Sequence, residues 1–599
     1  RFLHRSVCGQ RTIEQLLPVN PVRLGGKKAF EGMGAALEVA ETAAPTLEYG
    51  LEYFQRFEPL TAGDALKRVP SVAFLSDVLE SDGVRLRGLD PAYTQILING
   101  EQVPGSGSGS GSFGNGVEGS FFVDRIPAEL IERVEVVRSS SANRSGDAVA
   151  GAINIVLRDS YSLDGGFVRG GVQYFQNSEN WGDVLGGVWG GEALGGRVLF
   201  GLNLQDRHNP KDKFSARFPA PGGPLANIED QTDVRDGTDY SGNFSYVADI
   251  GPGEFTLGGF FVQTERDENE DSIEYSNPGS TPTTAGAIRI PSRQITLNDN
   301  NVEIEQQSWS LNAGYEFEWA AGETHVRIGY ATFTNKEDEI ENEVDYLRDT
   351  VPFPEADRFT ADRARLDLED SEFSFEIEHD IDLSDDLELE FGVDYQSKER
   401  DDLAAETARW RTGSGGVPAL PAGLTLTTAT GAGLPTPIPN LPFLGGVSTI
   451  ERTRIDPWVM LQGEAGPLSW EAGLRYETTD TDIGTNRSTS SEVLLPSAHL
   501  RYNLTDNDRI TASVARTVRR PSFSFLSPGL LEAELGDNDF RGDPNLDLET
   551  AWGLDVGYER RLGRTGVFGV NFFYRDITDL IELSTETVAG VPVVGSEGP

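Results

Sequence analysis

Ser308-Trp309-Ser310-Leu311-Asn312-Ala313-Gly314-Tyr315-Glu316-Phe317-Glu318-Trp319 alternates without a break. Trp309, Leu311, Ala313, Tyr315, Phe317 and Trp319 share one face, and Ser308, Ser310, Asn312, Gly314, Glu316 and Glu318 the other. Strand side chains alternate with period two, so this is a strand with one apolar and one polar face. The pattern recurs over 387–396, 469–477 and 568–575. Such segments come in pairs split by short turns, among them Gly251-Pro252-Gly253 and Thr505-Asp506-Asn507-Asp508. Long polar stretches (208–235, 267–300, 401–447) separate the pairs.

Short turns alternating with long loops are the layout of a transmembrane β-barrel, and Trp309, Trp319, Trp470, Tyr476 and Tyr574 near strand ends fit interfacial girdles. A soluble β-sandwich or solenoid also alternates. It must bring its apolar faces together, whereas roughly sixteen long strands with Gly, Asn and Glu opposite suit a polar lumen. No run approaches the roughly 20 apolar residues of a membrane helix. His379 breaks the pattern on the apolar face beside Phe375, Ile377 and Ile381. A place near the membrane–water interface accommodates it better than a metal role.

The formal net charge of −46 excludes a nucleic-acid binder, which phosphates would repel. Cys8 is the one cysteine, so there is no disulfide framework or thiolate cluster. His4, His208, His325, His379 and His499 are too dispersed for a zinc motif. Residues 1–46 carry Arg1, Arg5, Arg11, Arg23, Lys27 and Lys28 with little pattern and form an unassigned leader. The sequence starts without Met or an apolar signal core, so a signal peptide is expected to have been removed or to lie outside it. Arg5-Ser6-Val7 lacks the small, apolar run that precedes a lipidated cysteine.

Residues 47–159 read as a small α/β domain. Thr61 can cap a helix in which Leu66 and Val69 follow at helical spacing, and Pro70 ends it. Residues 93–99 form a strand running into the turn Asn99-Gly100. Pro127 opens a helical turn, 131–138 alternates again, and 152–157 is a further strand.

The run Asp124-Arg125-Ile126-Pro127-Ala128-Glu129-Leu130-Ile131-Glu132-Arg133-Val134-Glu135-Val136-Val137-Arg138, followed by Ser145-Gly146-Asp147-Ala148-Val149-Ala150-Gly151-Ala152-Ile153-Asn154-Ile155, resembles the plug of TonB-dependent receptors. Val84-Arg85-Leu86-Arg87-Gly88-Leu89 and Ile96-Leu97-Ile98-Asn99-Gly100 match its other signature stretches. Arg541-Gly542-Asp543-Pro544-Asn545-Leu546-Asp547-Leu548-Glu549 resembles the family's Gly-Asn-Pro-x-Leu-x-Pro-Glu stretch before a late barrel strand. Two departures stand out. Arg138 is followed by Ser139-Ser140-Ser141 where the family has Arg-Gly, and the sequence stops at Gly595-Ser596-Glu597-Gly598-Pro599 where the family has a terminal aromatic. The expected fold is therefore a transmembrane antiparallel β-barrel of the roughly 22-stranded type, its final strands missing from this sequence, with an N-terminal α/β plug in the lumen. The boundaries are 1–46 leader, 47–159 plug and 160–599 barrel.

The resemblance implies active import of a scarce nutrient, with a ferric siderophore first and oligosaccharide or cobalamin as competitors. It implies TonB and its inner-membrane complex as partners, a monomer set in outer-membrane lipid and lipopolysaccharide, and no cofactor or resident metal. TonB would take the plug's N-terminal box by strand addition, for which 46–54 is a weak candidate. It also implies that plug arginines pair with barrel-wall carboxylates, so Arg87, Glu132, Glu135 and Arg138 are the docking or gating residues. Such buried pairs give little net stability but fix register. The apical loop 101–122 has a flexible Gly-Ser tract and offers Phe113, Phe121 and Phe122 to the substrate. The mostly acidic external loops weigh modestly against an anionic siderophore. Asp537–Gly542 is not an EF-hand, because Arg541 takes a ligand position and Leu548 stands where the bidentate Glu belongs. A passive porin has no such plug, and a barrel lipase would need an outer-face Ser–His pair. His499 with Ser497 on the polar face is no such pair.

Overall fold

A computed structural model describes the chain except 1–21, 25–37, 40–42, 44–45, 51–52, 55, 75–82, 103–122, 177, 218–226, 276–293, 320–321, 346–357, 412–444, 485–486, 528–529, 532–539, 564–565, 589–590 and 599. Its main feature is a 16-stranded sheet in which each long strand pairs antiparallel with the next in sequence. The long strands run from Gly165–Phe175 to Gly566–Thr578, and the short strand Val22–Leu24 adds to the first of them. Among the described residues the two edges of this sheet are not hydrogen-bonded to each other.

Alternation sorts the two faces as read. Trp309 and Leu311 are exposed on the outside, while Ser308, on the lumen side of the same strand, is buried. Phe568, Val570, Phe572 and Tyr574 are likewise more than half exposed. A soluble sandwich would cover such faces, so an uncovered apolar band with a polar interior marks a membrane-facing wall. His379 lies on this outer face near a short turn. Its Nδ1 is 2.9 Å from Thr324 Oγ1, and the rings of Trp319 and Phe391 flank it.

The N-terminal domain holds a six-stranded mixed sheet. Its order is Glu38–Val39, Thr46–Gly50, Ile131–Val137, Gly151–Leu157, Thr94–Ile98 and Glu101–Gln102. Thr61 caps the helix Ala62–Leu66 by accepting from the Asp64 backbone N–H at 3.1 Å. Asn99 and Gly100, both at positive φ, turn the chain into the next strand. The weak box candidate at 46–54 meets a structural obstacle. Thr46–Gly50 pairs along its length with Arg133–Val137 on one edge, and on the other Leu47 and Glu48 pair with Val39 and Glu38, so part of the edge that strand addition needs is already taken.

The sheet curls around this domain. Arg169 on the first long strand pairs with Glu129 at 2.6 Å, and Arg575 on the last donates to the Val149 carbonyl at 2.8 Å. One side of the contact is apolar. Leu66, Leu130, Ile153 and Ile155 share a core with the wall residues Val188, Leu199, Phe260 and Val262. Gly201 leaves room there, since a Cβ on it would come within 2.4 Å of Leu130.

Candidate functional site: the charged seam between plug and wall

The opposite side of the contact is built from charge. After the strand Ile131–Val137 the chain runs over the wall as Ser139–Ala150, and most of this run is buried. Small residues permit the approach. Ala142 sits against Gly473, and a Cβ on Gly146 would meet Leu495 Cδ1 at 2.3 Å and Val518 Cγ1 at 3.1 Å. Backbone groups are used as well. Val518 N–H donates to the Gly146 carbonyl at 2.9 Å, and Gly146 N–H donates to Glu477 Oε1 at 2.9 Å. Ser141 Oγ donates to Glu471, and His499 Nε2 lies 3.2 Å from the Ser140 carbonyl.

Asp147 is the centre of the seam. Arg454 reaches it at 2.9 Å and Arg520 at 2.5 Å. The same guanidiniums and that of Arg475 hold Glu477 and Asp456 at 2.5–3.2 Å. Arg475 also holds Asp394 at 2.5 Å, so three arginines face four carboxylates, one of them contributed by the plug. Burial raises the Asp147 pKa, but Arg520 and Arg454 outweigh it and hold the carboxyl below the usual range.

A second node lies one strand pair away. Arg87, at φ 61 beside Gly88, pairs with Asp555 at 2.6 Å and stacks 5.1 Å from the Phe573 ring. A left-handed non-glycine backbone is uncommon and is held only when its surroundings over-determine it. Burial, with Arg575 and Arg138 close by, brings the Arg87 guanidinium down to about 10 despite Asp555, so it stays charged at neutral pH. Arg138 pairs with Glu559 at 3.2 Å, and its carbonyl accepts from Arg575 at 3.1 Å.

The other two sequence candidates face elsewhere. Glu135 is buried within the plug, accepting from Arg133 at 2.8 Å and from Asn154 at 2.9 Å. Glu132 accepts from Ser162 in the connection to the first barrel strand and lies 4.0 Å from Arg133. Phe113, Phe121 and Phe122 lie outside the described residues. Asp147, Arg454, Asp456, Arg475, Glu477 and Arg520 were not singled out from sequence. The available signals were the Ser139-Ser140-Ser141 departure and the placement of Arg475 and Glu477 on the polar face.

Elsewhere a cavity of about 260 Å³ opens between the plug (Asp64, Lys67, Arg68, Arg125) and the wall (Arg207, Arg235). Two groups bring metal-type ligands within 4.8 Å of one another, Glu316 with Glu323 and His325, and Glu378 with Asp380 and Glu390. His325, read from sequence as isolated, therefore has carboxylate company that folding supplies.

Residues 38–152 match the TonB-dependent Receptor Plug Domain, and residues 255–594 match the TonB dependent receptor-like, beta-barrel family. The chain belongs to the TonB-dependent receptors. This is a family of transporters and receptors, not of enzymes, and its members are outer-membrane proteins of Gram-negative bacteria. Among curated relatives, the receptor is 22% identical to the ferric enterobactin receptor of Pseudomonas aeruginosa over 92% of this chain and 72% of that one. It is 35% identical to the iron-regulated outer membrane virulence protein of Vibrio cholerae over 16% of this chain and 14% of the other. Among solved structures, the P. aeruginosa ferric enterobactin receptor in complex with BCV-L6 matches at TM-score 0.56 and 16% identity, covering 92% and 76% of the two chains. The outer membrane transporter YddB of Escherichia coli matches at TM-score 0.56 and 12% identity, covering 94% and 74%. At these identities the structural likeness speaks to fold. In the receptor, the plug is seated mainly by apolar contacts on the early strands and mainly by the charged seam on the late ones.

Proposed function

We propose that this receptor imports a ferric siderophore, driven by the TonB complex, and that the seam around Asp147 is the latch the plug must release. The observation carrying this reading is the charge balance across the seam. Docked, Asp147 gives Arg454 and Arg520 a further carboxylate beside the wall's own Glu477 and Asp456, and undocking takes that carboxylate from both arginines at once. An ion-paired contact suits a part that must leave and return, because water can re-solvate both halves, whereas a buried apolar face is lost outright on separation. Similarity to a ferric enterobactin receptor over most of the chain supports iron as the cargo. Arg87 and Arg138 would act with Asp147 as docking residues, while Glu132 and Glu135 would brace the plug internally. Phe113, Phe121 and Phe122 would offer aromatic faces to cargo, and lipopolysaccharide would surround a monomeric wall.

The test is growth of a strain lacking the receptor on ferric enterobactin, cobalamin or oligosaccharide as the limiting source. Loss on the ferric siderophore alone, reproduced by deletion of the TonB partner, is expected. A defect confined to cobalamin or glycan would replace the cargo, and no defect on any source would overturn import.

A further inference from the structure

Arg520, which clamps Asp147, begins a short segment that folds inward from the end of the strand Asp508–Arg519. Ser522 caps the single helical turn Phe523–Leu526. Phe523 is buried, and three cations from two neighbouring strands close on its ring. Arg452 lies 4.6 Å from the ring centroid, and Lys398 and Arg400 each lie 5.4 Å from it. The segment also supplies oxygen ligands. The Pro521 carbonyl accepts from Arg452 at 2.8 Å, and Ser524 Oγ accepts from Arg400 at 3.3 Å. Asp370 pairs with Arg400 at 2.6 Å and lies 3.9 Å from Lys398. Asp370 thus supplies one carboxylate to Arg400 and Lys398, while Arg452 is met by the phenyl ring, the Pro521 carbonyl and the Thr481 hydroxyl, neutral partners on which an anion would improve, since hydrogen bonds to charged oxygens are the stronger kind.

The other end of the segment is tied to the plug. Arg520 bridges Asp147 and Glu477, and Arg519 lies between the plug ring of Tyr93, at 5.1 Å, and the segment's own Phe525, at 5.9 Å. Phe523, Phe525 and Leu526 join Ile450, Ile483, Leu546 and Ile581 in a small apolar cluster, so the segment moves as a unit or not at all.

We infer that Pro521–Ser527 is an internal strap occupying an anion site made by Lys398, Arg400 and Arg452, and that an anionic cargo with aromatic faces displaces it and loosens Arg519 and Arg520 from the plug. The cargo class rests on the importer reading, while the site and its coupling rest on geometry alone. The strap competes with cargo for the same cations, and its release reports occupancy to the plug.

Binding is measured on the purified full chain with ferric tris(catecholate), a trianion, and with ferrioxamine B, a cation. Phe523→Ala, which removes the competitor, should tighten trianion binding about tenfold and leave ferrioxamine B unchanged. Arg452→Gln and Arg400→Gln should each weaken the trianion by about tenfold or more. In a Cys8→Ser, Gly146→Cys, Leu495→Ala, Val518→Cys chain, where Leu495→Ala makes room for the new side chain at 146, the trianion should slow disulfide closure across the seam, and Arg452→Gln should abolish that slowing. Unchanged trianion affinity in both Phe523→Ala and Arg452→Gln would overturn the anion site. Unaltered disulfide closure with bound trianion would overturn the coupling. If a strain lacking the receptor takes up ferric catecholates normally while Phe523→Ala still tightens binding, the importer reading falls and the strap stands. If uptake needs the receptor but both variants bind as the parent does, the reverse holds.

Discussion

Asp147 decides how firmly the late-strand side of the plug is held. Its carboxylate is shared by Arg454 and Arg520, with Glu477 and Ser145 completing its surroundings. Removing one partner of a buried pair leaves charge uncompensated, at a cost of about 3 kcal/mol. Asp147→Asn should therefore loosen the plug by that order, read as protease access to the 139–150 run. The pH dependence follows from the sign of the shift. A carboxyl held below its unfolded value contributes stability that is complete above that value and is lost as pH falls through the lower folded one. The part of docking that Asp147 contributes should stay constant from neutrality down to about pH 4, the ordinary aspartate value, and fall below it. In Asp147→Asn the acid loss should be smaller at every pH. An equal acid loss in parent and variant would show that another group controls docking. Arg87 shows a different economy, spending an uncommon backbone conformation to aim one guanidinium at Asp555.

At the level of elements, the run Ser139–Ala150 works because it is thin. Gly146 can lie against the wall because a Cβ would meet the end of Leu495, while its backbone bonds to Val518 and Glu477. Gly146→Val should push the run outward and free the plug from the seam, monitored by protease access. Leu495→Ala in the same chain should restore much of the docking, because the obstructing atom is a flexible side-chain end. Failure of that rescue would mean the glycine is needed for its backbone rather than its size. The strands themselves were legible. Alternation over 308–319 and 387–396 named the faces correctly, and Arg475 and Glu477 were placed on the lumen side. Their partner was not legible, since Asp147 is separated from Arg454 by 307 residues and from Arg520 by 373. Period-two reading orients a side chain but says nothing of what a separate domain brings to it. For the same reason Glu135 looked available from its strand position, whereas Arg133 and Asn154 already satisfy it.

Over the whole molecule, two kinds of contact divide the plug's perimeter. The early strands hold it mainly through an apolar core, beside the Arg169–Glu129 pair, and the late strands hold it mainly through arginines and carboxylates, beside apolar contacts at Ala551 and between Ala142 and Trp458 and Met460. An apolar contact has no cheap intermediate, while an ionic one can exchange partners with water and with a charged ligand. The plug is therefore expected to open at the seam with its apolar side as the hinge. The most direct test locks the seam. Gly146 and Val518 are joined by a 2.9 Å backbone hydrogen bond, and a Cβ on Gly146 would lie 3.1 Å from Val518 Cγ1, which suits a disulfide. In a Cys8→Ser, Gly146→Cys, Leu495→Ala, Val518→Cys receptor, in which Leu495→Ala removes the side-chain end that a Cβ at 146 would meet, uptake of radiolabelled ferric siderophore should stop when the pair is oxidised and return on reduction, with surface binding retained throughout. Full uptake by the oxidised receptor would contradict a plug that opens at this seam.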